Sequence, residues 1–122
     1  MTTMTPPTEN PKRGEIVLVL FPHSDLRTAK TRPALIVQAD ELNTGLPQVI
    51  VAMITSRMFR ANHPSRVIID LDSLEGQQSG LLTDSVVVTD NLATITELAI
   101  DRVIGKIPMR SIDQALRHTL GL

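Results

Sequence analysis

The sequence predicts a small, mostly β domain of the α+β class, in which an antiparallel sheet curls toward a barrel and one helix follows at the C-terminal end. Two observations support this class. Short apolar runs, several of them rich in β-branched residues, recur along the chain with turn-forming residues between them. One stretch near the C-terminus instead carries apolar residues at helical spacing. A chain of 122 residues is long enough for a single domain with its own hydrophobic core.

The domain boundaries follow from the N-terminal composition. Residues 1–12 are polar and rich in threonine and proline, so they have little apolar surface to bury. We expect a disordered arm over residues 1–12 and one folded domain over residues 13–122. Within it, strands are predicted at 16–21, 33–38, 49–55, 66–71, 85–89 and near 103–107.

The connections between strands are predicted from polar residues and from residues that interrupt helices and strands. The segment from Asp72 to Asp84 contains Gly76, Gly80 and two glutamines, which favours a loop. The segment 95–107 combines a helical turn with the last short strand. Ser111 and Gln114 have the spacing of a capping box, which predicts that the C-terminal helix begins there. Its apolar face and its end are predicted from Ile112, Ala115, Leu116, Leu120 and Gly121.

The stretch around Arg32 and Pro33 organises the chain. Proline has no N–H to give to a sheet, so Pro33 is expected at the first residue of a strand or on an edge. The residue before a proline is held in an extended conformation. Arg32 is therefore predicted at a junction between loop and strand. There its guanidinium can be aimed at an anion, or can simply form a salt bridge at the surface.

Composition argues against several classes of function. A net charge of −1 argues against a non-specific nucleic-acid binder, which usually has a broad basic face. The sequence contains two phenylalanines and no tryptophan or tyrosine. Two aromatic rings are too few for a base-stacking platform in one chain. There is no cysteine, the three histidines are scattered, and carboxylates do not cluster. We therefore expect no metal and no cofactor.

The location is predicted from what the sequence lacks. Its apolar runs are far shorter than the ~20 residues that cross a bilayer. The N-terminus has no basic region followed by an apolar core, as a signal peptide would have. We expect a cytoplasmic protein that does not associate with a membrane.

Several short segments occur in a specific order over residues 13 to about 120. They are Arg13 to Ile16, Thr31 to Val37, Ile50 to Ser56, Gly80-Leu81, Asp84 to Val87 with Asp90 and Thr94-Ile95 after it, and Ile104 to Ile107. Each segment is a weak signal alone, but the ordered set is specific. In this respect the chain resembles the MazF/PemK-like toxins of type II toxin–antitoxin systems.

The resemblance implies an SH3-like β-barrel, of the kind shared with gyrase-poisoning toxins, and a homodimer. It also implies a metal-independent endoribonuclease that cleaves single-stranded RNA, usually within a short sequence. A cognate antitoxin is expected to wrap a C-terminal segment over the RNA site. In the best-matching members an arginine and a hydroxyl carry catalysis, and these correspond here to Arg32 and Thr55. Ser56 directly follows Thr55 and is expected to assist catalysis.

Two positions depart from common patterns of this family. Many members carry a Gly-x-Glu element shortly before the proline, whereas this chain has Asp25-Leu26-Arg27 there. The loop from Phe21 to Leu26 is similar instead to that of a chromosomal subgroup. Plasmid members have a catalytic Arg-x-Asp element, of which Asp90 is present here while Val88 replaces the arginine. The resemblance therefore places more of the charge stabilisation on Arg32.

The remaining site residues are assigned by chemistry. Asp90 is a candidate base or orienting group, with an ordinary turn aspartate as the alternative, and His23 is a second candidate base. Thr55 can donate to a phosphate or cap its own backbone. The loop 57–66 can track an RNA backbone and stack one base, or can be a solvated surface loop. The expected RNA-binding residues are His23, Lys30, Arg57, Phe59, Arg60 and His63.

A second function hypothesis belongs to a different class. The same fold can act without catalysis, by poisoning a protein target such as gyrase, or as an inactive copy that acts only through its antitoxin. Incubation of the pure protein with a long single-stranded RNA in EDTA distinguishes the two hypotheses.

Overall fold

The computed structural model describes residues 10–22 and 29–122. The strands are β1 Glu15–Pro22, β2 Ala29–Ile36, β3 Gln48–Thr55, β4 Arg66–Ile69, β5 Ser85–Thr96 and β6 Ile100–Lys106. The helices are α1 Leu74–Gln78 and α2 Arg110–Leu120, and short 3-10 turns occupy Met58–Arg60 and Glu97–Ala99. The arm predicted for residues 1–12 lies mostly outside the described residues, and that domain boundary stays a prediction.

The six strands form one antiparallel sheet in the order β4-β5-β3-β2-β1-β6. Within the described residues β4 and β6 are its two edges, so the sheet is not closed by pairing into a full barrel. The predicted mostly β class with a C-terminal helix is confirmed. No helix in the described part of the chain is long and apolar enough to span a bilayer.

The core lies on both faces of the sheet, because alternate residues of a strand point to opposite sides. On one face Ile16, Leu35 and Ala52 pack with Ile112 of α2. On the other face the buried cluster consists of Val17, Val19, Ala34, Ile36, Val49 and Val51. Strands buried on both faces have continuous apolar sequences, which is why β1 and β3 could be predicted closely.

Several element boundaries differ from the prediction. Strand β4 ends at Ile69 and β6 begins at Ile100, and four further differences concern β2, β5, α2 and α1. Strand β2 begins four residues before Pro33, so Arg32 and Pro33 lie within a strand and not at its start. Strand β5 continues through the polar residues Asp90 and Asn91 to Thr96, with a register shift against β3 between Ala52 and Met53. Helix α2 begins at Arg110 without a side-chain cap, so the predicted capping box at Ser111 is wrong, whereas Gly121 does end the helix with a left-handed φ of 71°.

The fourth difference is α1, which lies in a segment predicted as a loop. Ser73 caps this short helix, since its Oγ accepts from the backbone N–H of Gly76 at 2.9 Å. Gly76 was one reason for predicting a loop, but the helix needs a glycine at this position because the backbone of Asp70 lies so close. A Cβ at this position would lie 1.9 Å from the carbonyl oxygen of Asp70.

Close backbone packing holds the segment after α1 against β6. A Cβ on Gly105 would lie 2.3 Å from the backbone carbonyl atoms of Ser79, and one on Gly80 would lie 2.0 Å from the carbonyl oxygen of Ile104. Neither position can accept a side chain unless the backbone moves. The segment that begins at Gly80 is therefore fixed against β6.

We predict that Gly105→Ala destabilises the protein by roughly 1–3 kcal/mol or more, because the new methyl group must displace backbone. Gly45→Ala serves as the comparison, since a Cβ there meets no atom within 4 Å and only its positive φ of 80° opposes the change. The free energy of unfolding, measured by urea titration, should fall more for Gly105→Ala. An equal or smaller loss at position 105 would contradict this packing.

Candidate functional site

A groove opens where β2 separates from β3. Strand β2 pairs with β1 from Ala29 to Leu35, but it pairs with β3 only over Ala34–Ile36. A proline removes one donor from a sheet ladder, because it has no N–H. Pro33 stands at the point where pairing with β3 stops. Beyond that point lies a groove of about 770 Å³.

The groove is lined by cations, neutral polar groups and apolar residues. Its five cationic residues are Lys30, Arg32, Arg57, Arg60 and Arg102. Its hydroxyl and amide groups are Thr31, Thr55, Ser56, Thr83, Ser85 and Asn91. Within the described part of the chain, no aspartate or glutamate lines it. A concave site with charges of one sign attracts ligands of the opposite sign, so the groove suits a polyanion.

The strand register brings Arg32 and Thr55 to facing positions at the mouth of the groove. The last paired residues of β2 and β3 are Ala34 and Met53. If this antiparallel register is continued by two residues along each strand, Arg32 lies opposite Thr55. The strands that carry Arg32 and Thr55 are therefore neighbours, although they are no longer hydrogen-bonded at this level.

The Thr55 hydroxyl caps its own strand end, which leaves its proton free for the other role considered for it. Its Oγ1 accepts from the backbone N–H of Arg57 at 3.2 Å, so it does cap its own strand end. A hydroxyl that accepts one hydrogen bond keeps its own O–H for donation. Thr55 is half-buried and lines the groove, where that O–H can reach a bound anion.

Asp90 does not line the groove and is held by an arginine. Its two carboxylate oxygens accept from Nε and Nη2 of Arg66 at 3.0 and 2.8 Å, and Nη1 of Arg66 donates to the carbonyl oxygen of Arg60 at 3.0 Å. The hydrogen bond from Arg66 holds the pKa of Asp90 below its usual value. A lowered pKa makes a carboxylate a weaker base, so this geometry favours the orienting role.

Buried hydroxyls connect the same region to α2. The Oγ1 of Thr89 donates to the carbonyl oxygen of Ser65 at 2.6 Å, and the Oγ1 of Thr119 donates to the Oγ of Ser65 at 2.8 Å. The two threonine hydroxyls are also 2.8 Å apart. Ser65 and Thr89 directly precede Arg66 and Asp90 in the sequence. These contacts connect the end of α2 to the residues that precede the Arg66–Asp90 ion pair.

Three of the predicted RNA-binding residues line the groove, namely Lys30, Arg57 and Arg60. Phe59 is 76 % exposed outside the lining, with the Arg60 guanidinium 5.7 Å from its ring centroid. His63 is also outside the lining, and His23 lies outside the described residues.

His63 has structural partners of its own. Its Nδ1 accepts from the backbone N–H of Ser65 at 3.0 Å, and its ring centroid lies 6.0 Å from that of His118 in an edge-on arrangement. In the described chain, no group of three or more His, Asp or Glu residues is placed to hold a metal ion.

The sequence prediction missed several polar residues of the groove, namely Asn91, Thr83, Ser85 and Arg102. Asn91 follows Asp90 directly, and Ser85 belongs to one of the family-like segments, so both could have been found from the sequence. Arg102 had no local signal, because its strand was predicted only from residue 103. It enters the groove through the pairing of β6 with β1.

Together, the fold and the groove define a small β-sheet protein with a cationic groove. Comparison with known proteins gives the family. Residues 12–120 match the family described as PemK-like, MazF-like toxin of type II toxin–antitoxin system. The chain belongs to this family, which confirms the resemblance found in the sequence.

Relatives and solved structures agree with this assignment. Endoribonuclease MazF2 of Mycobacterium bovis and Endoribonuclease MazF6 of Mycobacterium tuberculosis are each 34% identical over 107 residues, which cover 84% of this chain and 90% of the relative. These names confirm the predicted enzyme class, endoribonuclease.

Two solved structures are similar to this fold. The first is an endoribonuclease in complex with its cognate antitoxin from a mycobacterial species, with a TM-score of 0.69, 26% identity and coverage of 93% of this chain and 97% of that one. The second is Mycobacterium tuberculosis toxin MazF-mt6, with a TM-score of 0.65, 25% identity and coverage of 87% and 97%.

We predict that Asp90→Asn lowers the melting temperature at neutral pH. Because the pKa of Asp90 is lowered in the folded protein, its ion pair contributes stability above the ordinary carboxyl pKa. That contribution disappears as the pH falls through the lowered pKa. The deficit of Asp90→Asn should therefore shrink as the solution is acidified below about pH 4.

Asp101→Asn is the matched control, because Asp101 is exposed and forms no ion pair among the described residues. Melting curves of both variants and the wild type from pH 7 to strongly acidic pH provide the measurement. A deficit of Asp90→Asn that persists unchanged in acid would rule out the ion pair as its source.

Proposed function

We propose that the protein is the toxin of a type II toxin–antitoxin system and cleaves single-stranded RNA in the groove, sequence-selectively and without a metal ion. The observation that carries this proposal is the placement of Arg32 opposite Thr55, in a groove with five cationic residues and no carboxylate among its described lining residues. Single-stranded RNA is a flexible polyanion and suits such a groove.

The reaction requires attack of a ribose 2′-oxygen on the adjacent phosphorus. The bond from 2′-oxygen to phosphorus forms and the bond from phosphorus to 5′-oxygen breaks, which leaves a 2′,3′-cyclic phosphate and a free 5′-hydroxyl. One proton leaves the 2′-hydroxyl and one arrives at the 5′-oxygen. Negative charge grows on the other phosphate oxygens as the new bond forms.

Arg32 and Thr55 stabilise that growing charge. The planar guanidinium of Arg32 can donate two parallel hydrogen bonds to phosphate oxygens, and Thr55 can donate a third from the facing strand. Arginine keeps its proton because its pKa lies above ~12, so its role is electrostatic. Ser56, next to Thr55 in the lining, provides a further hydroxyl.

The proton transfers have no assigned residue. The described lining contains no histidine and no carboxylate, and Asp90 is engaged by Arg66 outside it. The proton carriers are therefore water or groups beyond the described lining. Arg57, Arg60 and Lys30 hold the RNA backbone on either side of the reacting phosphate.

We predict that Arg32→Ala and Thr55→Ala each reduce the rate of RNA cleavage about 100- to 1,000-fold, as is typical when one preorganised donor to developing charge is lost. Arg32→Lys keeps the charge but loses the paired geometry, so it should also be severely impaired. The assay is cleavage of a long single-stranded RNA in EDTA, with 5′ ends mapped. Arg110→Ala, an exposed cation outside the lining, is the control.

Melting curves must show that each variant is folded. A folded Arg32→Ala protein that cuts RNA at the wild-type rate would overturn the assignment of Arg32. A folded wild-type protein that cuts no RNA in EDTA would favour the alternative function, in which the same fold acts by binding a protein such as gyrase.

The proposed partner is a cognate antitoxin whose mostly acidic segment covers the groove. A site lined by cations without carboxylates is complementary to an acidic peptide. One structural neighbour is an endoribonuclease in complex with its cognate antitoxin, which supports such a partner here. A bound segment of this kind would exclude RNA from the same cationic residues.

We also propose a homodimer. The sheet has apolar residues exposed on both of its edge strands, with Ile68 of β4 54% exposed and Val103 of β6 44% exposed. An exposed sheet edge is usually covered or paired. Light scattering should give twice the chain mass of 13.4 kDa at micromolar concentration. A particle with the mass of one chain would contradict the dimer.

A further inference from the structure

We propose that Arg102 is a second phosphate-binding residue of the groove and holds a backbone phosphate next to the one that is cleaved. This inference rests on the proposed function, since it names how the same groove binds the rest of its RNA. It concerns a residue that the sequence prediction did not include and that sheet pairing alone brings to the site.

The position of Arg102 is set by two strand registers. Leu18 of β1 pairs with Pro33 on one side and with Arg102 on the other. Residues directly opposite one another in an antiparallel sheet point to the same face. Pro33, Leu18 and Arg102 therefore form one row across three strands, and all three line the groove.

The strand that carries Arg102 has a fixed backbone. Gly105 packs against the backbone of Ser79, and Gly80 packs against the carbonyl of Ile104, two residues from Arg102. The backbone at Arg102 is therefore already ordered before a ligand binds. Less backbone entropy is then lost when the side chain makes its contact.

The charge of Arg102 is available for a ligand. Arg13 and Arg66 each form an ion pair with an aspartate. Arg102 is exposed, and its side chain makes no hydrogen bond or ion pair among residues 10–22 and 29–122. The neighbouring Asp101 does not line the groove and so does not offset this charge there.

The ligand that fits is a phosphate of the RNA backbone. A guanidinium binds phosphate through paired hydrogen bonds, and a single strand presents one phosphate at every nucleotide. Arg32 directly precedes Pro33, so it belongs to the opposite face of the sheet from Arg102. Both arginines nevertheless line the same groove, so an RNA held at Arg32 has further phosphates within it. A contact away from the reacting bond strengthens binding of substrate and transition state equally, which lowers KM and leaves kcat unchanged.

The test compares Arg102→Ala with Lys106→Ala, which removes the same charge from the same strand outside the groove. Cleavage of single-stranded RNA should show KM raised about tenfold for Arg102→Ala with kcat unchanged, since a lost charged hydrogen bond typically costs this much or more. Lys106→Ala should resemble the wild type. Arg102→Lys keeps the charge, so its KM should lie between the KM of Arg102→Ala and that of the wild type.

A second measurement distinguishes phosphate binding from a structural role. The affinity for a single-stranded 2′-O-methyl RNA of mixed sequence, which lacks the attacking hydroxyl, is measured by fluorescence anisotropy between about 50 and 200 mM salt. Loss of one phosphate contact should reduce the slope of log affinity against log salt by about 0.7 for Arg102→Ala. Arg102→Lys should keep the wild-type slope.

The outcomes separate this inference from the proposed function. If the wild type cuts RNA but Arg102→Ala matches Lys106→Ala in KM and in salt slope, the role of Arg102 is overturned and the function stands. An unchanged slope with altered sequence preference would also overturn it, in favour of a base contact. If the wild type binds the 2′-O-methyl RNA without cutting any RNA, the catalytic function fails and the salt slope still decides the role of Arg102.

Discussion

The groove depends on the interruption of one sheet ladder at one proline. Strand β2 keeps its full pairing with β1 while it loses β3 at Pro33, so the sheet stays intact on one side and opens on the other. Without this interruption the facing positions of Arg32 and Thr55 would be closed by hydrogen bonds between the strands. The β2–β3 ladder thus ends beside a residue with no N–H, and a concave site lies next to that end in a sheet that is otherwise paired.

The distribution of charge also singles out the groove. A chain with a net charge of −1 has no broad basic face, yet five cationic residues line one groove. Asp90 and Asp113 instead pair with arginines outside that groove. The arginine beside Asp90 also holds the carbonyl oxygen of Arg60, so an acidic residue outside the groove supports the loop that brings a cation into it.

Much of the fold could be predicted from the sequence, because strands buried on both faces leave continuous apolar runs such as Ile16 to Phe21. The candidate site could be predicted in part. Arg32 carries a local signal in the proline that follows it, whereas Arg102 reaches the groove only through long-range pairing. The engagement of Asp90 could not be foreseen either, since its partner Arg66 is 24 residues away in the sequence. Local patterns determine which residues form strands, and the register determines which side chains meet.

The two walls of the groove are held in different ways. Arg32 and Thr55 lie at the ends of the pairing between β2 and β3, where the strands have already separated. Arg102 lies beside the backbone contacts that fix the segment of Gly80 against β6. A site with one wall at a strand opening and the other on close-packed backbone can admit a flexible chain and still position it. In the proposed function, the first wall contains the residues for the reacting phosphate, and the second places a cation on a fixed strand for the phosphates beside it.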